Sequence, residues 1–98
     1  MYNKQFKTLD LALELYRESR ALAWKHYQKD QYLRAIQSVV LNLSEGSAKP
    51  TAKDRKRFYF IALGSLREVQ ALLEMGDFLT QVKKADVVAA HLYKLCMS

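Results

Sequence analysis

The chain of 98 residues contains one cysteine, one proline and three glycines. A single thiol, Cys96, rules out an intrachain disulfide and any metal site built from several cysteines. So few turn-forming residues argue against a sheet protein with many tight turns. No apolar run approaches the ~20 residues that a membrane-spanning helix needs. The opening residues, M-Y-N-K-Q-F-K, hold no apolar stretch of the kind a secretory signal requires. A cytoplasmic protein with no membrane partner is therefore expected. The chain also lacks a P-loop, a G-x-G-x-x-G fingerprint, a zinc signature and any E-x-x-H pair. Asp10, Glu14 and Glu18 form a row on a polar helix sector, which reads as a solvated face and not as a metal site. His26 and His91 fall in different predicted helices, with no nucleophile motif beside either. No catalytic residue, metal or cofactor is expected, and the chain reads as non-enzymatic.

What the chain does contain is apolar residues and positive charge. Half of it is hydrophobic and 11% aromatic, enough for one domain over 1–98 with its own core. Sixteen Lys and Arg against ten Asp and Glu give a net charge of +6. That balance favours polyanionic partners, nucleic acid before an anionic membrane, although a basic surface can also serve solubility alone.

Hydrophobic periodicity predicts four helices and an all-α fold. The first runs from about Leu9 to about His26 with Thr8 as cap. It has two apolar stripes, Leu9-Ala12-Leu13-Tyr16 and Leu11-Leu15-Leu22. After a connector from about Tyr27, Asp30 is expected to cap a second helix to about Ser44. Its inner face is Tyr32, Leu33, Ile36, Val39, Val40 and Leu43, with Leu41 pointing away. Gly46 should stop this helix, with Pro50 just beyond and Thr51 and Asp54 capping the next. The third helix is expected from about Ala52 to about Phe78. Phe58, Ala62, Ser65, Val69, Leu72 and Leu73 face inward, with Phe60 and Leu63 opposite. Gly76 is expected to kink or end it. A fourth helix, about Lys83 to about Met97, carries the stripe Ala85-Val88-Leu92-Leu95. Short connections favour an antiparallel up-down-up-down bundle.

Two features of the third helix point beyond a single chain. The apolar run Phe58 to Leu63 covers the whole circumference, more than a four-helix monomer can bury. Gly64 costs about 1 kcal/mol against alanine inside a helix, and the Gly64-Ser65 pair suggests close approach of another helix. Phe60, Leu63 and Leu41 are the candidate oligomer contacts. The start of the same helix concentrates Lys49, Lys53, Arg55, Lys56 and Arg57 against Asp54 alone. Cations there oppose the helix dipole, and free N–H groups add to an anion site. Lys49, Lys53, Arg55 and Lys56, with Arg67 further along, are the candidate phosphate contacts. Asn42, Glu45 and Glu68 read better as structural groups near helix ends than as catalytic acids, and Arg57 is placed to pair with Glu45 across the hairpin. The six tyrosines and Trp24 could stack on bases, but aromatics at helical spacing belong more often to core or interface.

The segments L-R-A-I-Q-S-V-V-L-N-L-S-E-G and R-F-Y-F-I-A-L-G-S-L-R-E-V resemble the second and third helices of the bacterial four helix bundle protein family. That family includes the ribosomal-RNA intervening-sequence proteins and the accessory proteins of diversity-generating retroelements. Asn42, Glu45, Gly46, Arg57, Phe58, Gly64, Ser65 and Glu68 carry the resemblance; Leu43 and Ser44 depart mildly from it. It implies an antiparallel four-helix bundle that assembles as a ring-like homopentamer with a basic surface. For the retroelement branch it implies nucleic-acid binding beside a reverse transcriptase. Two functional readings stand at this point: a nucleic-acid-binding accessory protein, and an oligomeric protein-interaction scaffold with no direct nucleic-acid role.

Overall fold

A computed structural model describes residues 4–98, with the side chains of residues 4 and 5 left aside; the signal-sequence reading rests partly on residues 1–3, which lie outside it. Helices α1 (Lys4–Ser19), α2 (His26–Ser47), α3 (Ala52–Met75) and α4 (Leu79–Met97) make up the fold, with no strand among the described residues. Each helix packs on two others: α1 on α2 and α4, α3 on α2 and α4, while the diagonal pairs do not meet. That square arrangement with short connections is the expected antiparallel bundle. Its long dimension, 40 Å, is close to the ~36 Å length of a helix of 24 residues, so the helices run along the long axis.

The α1 core line lies between the two stripes read from the sequence. Thr8, Ala12, Leu15 and Ser19 are buried at i, i+4, i+7, i+11 spacing, while Leu9, Leu11 and Tyr16 flank them half-buried. Thr8 is therefore a core residue inside the helix and not its cap. The helix also ends at Ser19, well before His26. Apolar residues continue past Ser19, which is why periodicity overruns, but side-chain bonding stops the helix. The Ser19 hydroxyl donates to the Leu15 carbonyl and accepts from the Tyr32 phenol at 2.6 Å. The Ser19 carbonyl accepts the Trp24 indole N–H at 2.8 Å and the Leu22 amide at 3.1 Å. Trp24 stacks on Tyr32 with ring centroids 4.3 Å apart and meets Phe78 edge-on at 4.6 Å. Leu22 thus sits in the turn. The anchored Trp24 starts α2 at His26, leaving Asp30 exposed within the helix and not at its cap.

On α2, Tyr32, Ile36, Val39 and Leu43 are buried as expected, joined by Ala35 and Gly46. Gly46 does not stop the helix, which continues to Ser47. A Cβ at Gly46 would lie 2.8 Å from a Tyr59 ring carbon and 2.9 Å from the Phe58 Cβ. The glycine is there so that α3 can approach. Thr51 caps α3 as expected, its Oγ1 accepting from the Asp54 amide at 3.2 Å. Tyr59 and Leu66, absent from the expected inner face, are fully in the core, while Phe58 and Ser65 are half-buried. The third helix ends at Met75. There Asp77 takes the left-handed position (φ 59°), and the Phe78 amide reaches back to the Leu73 carbonyl at 3.1 Å. Gly76 leaves room for the Phe78 ring, which a Cβ would meet at 2.5 Å. Helix α4 starts at Leu79, earlier than expected, and buries all four residues of the expected stripe plus Ala89 and Cys96. Lys84 joins it to α1 through an ion pair with Glu18, and Gln81 adds a 3.2 Å bond to the same carboxylate. The Lys84 bond holds the Glu18 carboxyl below its ordinary range.

Two stability measurements follow from this packing. Gly46→Ala should lower stability by roughly 1–3 kcal/mol, the range for overpacking a core contact, measured by denaturant unfolding. Burial pushes the Tyr32 phenol up to about 12, with the Ser19 contact pulling the other way. The raised value belongs to the neutral form in the folded state, so its contribution is complete below the unfolded value near 10 and is lost as pH rises through 12. The stability advantage of the wild type over Tyr32→Phe should therefore shrink above about pH 10, read from unfolding curves at stepped pH.

Candidate functional site

The α2–α3 hairpin gathers the cations at one end of the bundle. Lys53, Lys56 and Arg57, at i, i+3 and i+4, share one side of the first turns of α3. Lys49 comes from the connection just before it. Among the described residues none of these four enters an ion pair; the pairs present are those of Lys84 with Glu18 and Glu14. Lys49 Nζ lies 5.2 Å and the Arg57 guanidinium 5.4 Å from the centroid of the Phe58 ring. Such cation–π contacts contribute about 0.5–1 kcal/mol at exposed sites, too little to immobilise either side chain. Lys56 stands beside the last turn of α4, sharing a cavity of about 150 Å³ with Arg55, Tyr59, Leu95 and Ser98. Burial pushes the Cys96 thiol there up, with Lys56 pulling it down. The same last turn carries exposed Lys94, a cation missed by sequence reading because nothing local marks the end of α4 as lying beside the start of α3.

Two arginines exchange the parts expected of them. Arg55 lies four residues before Tyr59 on the core-facing line, and its Nη1 donates to the Lys49 carbonyl at 3.1 Å, closing the hairpin. Arg57 is exposed and makes no pair with Glu45. Helical phase explains both: Arg55 shares the side of Tyr59, Ala62 and Leu66, while Arg57 projects to solvent. Arg67 is not brought into the cluster. It sits about 15 Å further along α3 and donates at 2.9 Å to Gln70, which donates at 2.9 Å to Asp86 of α4.

The polar residues of the hairpin are also arranged differently from expectation. Asn42 Nδ2 donates back one turn, to the Ser38 carbonyl at 2.8 Å and its hydroxyl at 3.2 Å. Ser38 in turn bonds Ser65 of α3 at 2.7 Å. This chain joins the two helices but caps no terminal carbonyl. Those at the end of α2 are met by the Ala48 and Lys49 amides and the Ser47 hydroxyl. Glu45 and Glu68 are exposed and, among the described residues, make no side-chain hydrogen bond or ion pair. Beside the hairpin, Leu41, Asn42, Ser44, Glu45 and Phe58 line an open groove of about 330 Å³.

Away from the hairpin, α3 presents an unpartnered face. Phe60 is 48% and Ile61 49% exposed, whereas Leu63 rests half-buried on the core, contrary to its expected outward position. Leu41 on α2 is 66% exposed, as expected. Among the described residues nothing lies within 4 Å of where a Cβ at Gly64 would be. Ile61, Gly64, Glu68, Ala71 and Met75 recur at alternating spacings of three and four and are all exposed, the pattern of a helix seam. Ile61, Ala71 and Met75 were not singled out from the sequence, because an apolar run that circles the helix does not reveal which part is outward.

His26 is exposed, and His91 Nδ1 lies 3.0 Å from the Val87 carbonyl. Among the described residues no group of His, Cys, Asp or Glu is placed to hold a metal, and no helix is long and apolar enough to cross a membrane.

The architecture defines an all-α, four-helix-bundle protein with a cation-rich hairpin end. A family model described as 23S rRNA-intervening sequence protein matches residues 4–96, and the chain belongs to that family. Neither the curated proteins nor the solved structures searched contain a match.

Arg55→Ala should lower stability by about 1–2 kcal/mol through loss of its bond to the hairpin carbonyl. Arg57→Ala and Glu45→Ala should stay within about 0.5 kcal/mol of wild type. Thermal melts of the three variants check this ordering, and a Glu45→Ala loss equal to that of Arg55→Ala would contradict it.

Proposed function

We propose that the protein is a non-enzymatic, cytoplasmic, homo-oligomeric accessory protein that holds RNA or DNA phosphates at its hairpin end. The observation that carries this reading is the set Lys49, Lys53, Lys56 and Arg57, clustered at one end of the bundle with no ion-pair partner among the described residues. Lys94 extends the same end, while Arg55 serves the fold and Arg67 lies outside the cluster. Cations on a helix start oppose its dipole and gain when a phosphate arrives, because the phosphate satisfies both the charges and the remaining N–H groups. Binding of this kind is largely independent of sequence and driven by counterion release.

Self-association is supported by the exposed seam of α3, where Ile61 and Met75 flank two small residues that allow close helix approach. A closed ring of five copies, as the family resemblance implies, would carry five times +6, about +30. A reverse transcriptase or another RNA-handling protein is the partner this reading suggests. The exposed apolar residues Leu41, Phe60 and Ile61 favour a second reading, an oligomeric scaffold that binds protein and not nucleic acid.

Affinity for mixed-sequence RNA and DNA, measured against salt, separates the two. The wild type should lose affinity steeply as salt rises. Replacing Lys49, Lys53, Lys56 and Arg57 together by Gln should flatten the log–log slope by about 3 on a single strand, at unchanged oligomer size. Affinity indifferent to salt, or surviving the fourfold change, would favour the scaffold. Ile61→Asp should dissociate the assembly in light scattering while helical content persists; a wild type that is already monomeric would remove the oligomer.

A further inference from the structure

The groove between α2 and α3 has a composition that a phosphate site alone does not require. Its polar side chains are Asn42, Ser44 and Glu45. Glu45 contributes a carboxylate, which when ionised has no donor. The donor side of the Asn42 amide is committed to the Ser38 carbonyl and hydroxyl, leaving Oδ1 as its remaining atom. Lys49, four residues after Glu45, and Arg57, next to Phe58 in the chain, both lie against the Phe58 ring, and neither pairs with the carboxylate. The site therefore combines an aromatic wall, a carboxylate and two cations, none of them in an ion pair among the described residues, around a groove of about 330 Å³.

We propose that this groove takes the Watson–Crick edge of an unpaired guanine, with the base against Phe58, its N1–H and N2–H groups donating to Glu45, and its flanking phosphates on Lys49 and Arg57. The chemistry selects among the bases. A carboxylate accepts two parallel bonds only from an edge with two adjacent donors, and guanine alone has that edge. Adenine and cytosine place an acceptor beside their amino group, and uracil has one donor between two acceptors. In a duplex the edge is already paired, so the groove reads single-stranded segments. As a base enters, Lys49 and Arg57 leave the ring for the phosphates, exchanging a weak contact for a strong one.

The inference rests on the nucleic-acid reading above, and the test separates its failure from the failure of that reading. The probes are short uridine RNAs carrying one central guanosine, inosine, adenosine or cytidine, with binding followed by fluorescence anisotropy at fixed salt. The guanosine strand should bind about tenfold tighter than the adenosine and cytidine strands, the scale of one bidentate base contact. Inosine, which lacks the N2 amino group, should fall between. Glu45→Gln should erase the guanosine preference while plain oligouridine is bound at least as tightly as by the wild type, since a negative charge near the phosphates is removed, at unchanged oligomer size. Equal, salt-dependent binding of all four strands would overturn the base site and leave the electrostatic reading standing. No binding of any strand would overturn both. A change of oligomer size in Glu45→Gln, with guanosine preference intact, would assign the carboxylate to a contact between copies and overturn the base site.

Discussion

The approach of α2 to α3 at Gly46 sets the geometry of the hairpin end. A Cβ at that position would come within 3 Å of both Tyr59 and Phe58, so only glycine lets the two helices run this close where the chain reverses. Close approach seats Tyr59 in the core, and with it the phase of the whole third helix. Once Tyr59 points inward, Arg55 four residues earlier lies over the bundle end and reaches the Lys49 carbonyl, while Lys53 and Arg57 are turned outward and Lys56 lies half-buried beside α4. Halfway along, the Ser38–Ser65 bond holds the same register with a contact that only small side chains permit. The display of charge is thus a consequence of packing.

The opposite end of the bundle is organised on a different principle. Ser19, Trp24, Tyr32 and Phe78 bring hydroxyl, indole and phenol groups into one aromatic knot, in which each bond satisfies a group that burial would otherwise penalise. The ion pair of Lys84 with Glu18 lies nearby on the surface between α1 and α4. Surface pairs of this type contribute little stability on their own, but they neutralise charge locally. Among the described residues the hairpin end has no such ion pair.

The fold was largely legible in the sequence because helical periodicity is long-ranged along each element. The stripe Ala85-Val88-Leu92-Leu95 on α4 and the Thr51 cap were both readable from spacing alone. The failures have local physical causes. Apolar residues past Ser19 continue the helical pattern, and only the indole and phenol bonds, made by residues five and thirteen positions away, end the helix. Gly46 and Gly76 read as conformational breakers, whereas both keep φ negative and serve aromatic neighbours. At the candidate site, the density of Lys and Arg near the start of α3 was visible. The division of labour between Arg55 and Arg57 was not, because it depends on the phase of a helix whose apolar run circles its axis. Glu45 and Glu68 read as structural groups, whereas three-dimensional placement leaves them exposed.

The electrostatic arrangement of α3 connects these points. Its first turn carries Asp54 and the Thr51 cap, which favour the helix start, and then a run of cations that oppose it. A helix that needed only to fold would place those cations at its other end, yet the last turn of α3 contains no basic residue. The hairpin tolerates the repulsion because tertiary contacts from Gly46, Tyr59 and Arg55 hold it together without help from surface charge. Stability and charge are therefore supplied by different residues of the same turns, one set facing the core and the other facing solvent. That separation leaves the outward set free to meet a polyanion without unfolding the element that presents it.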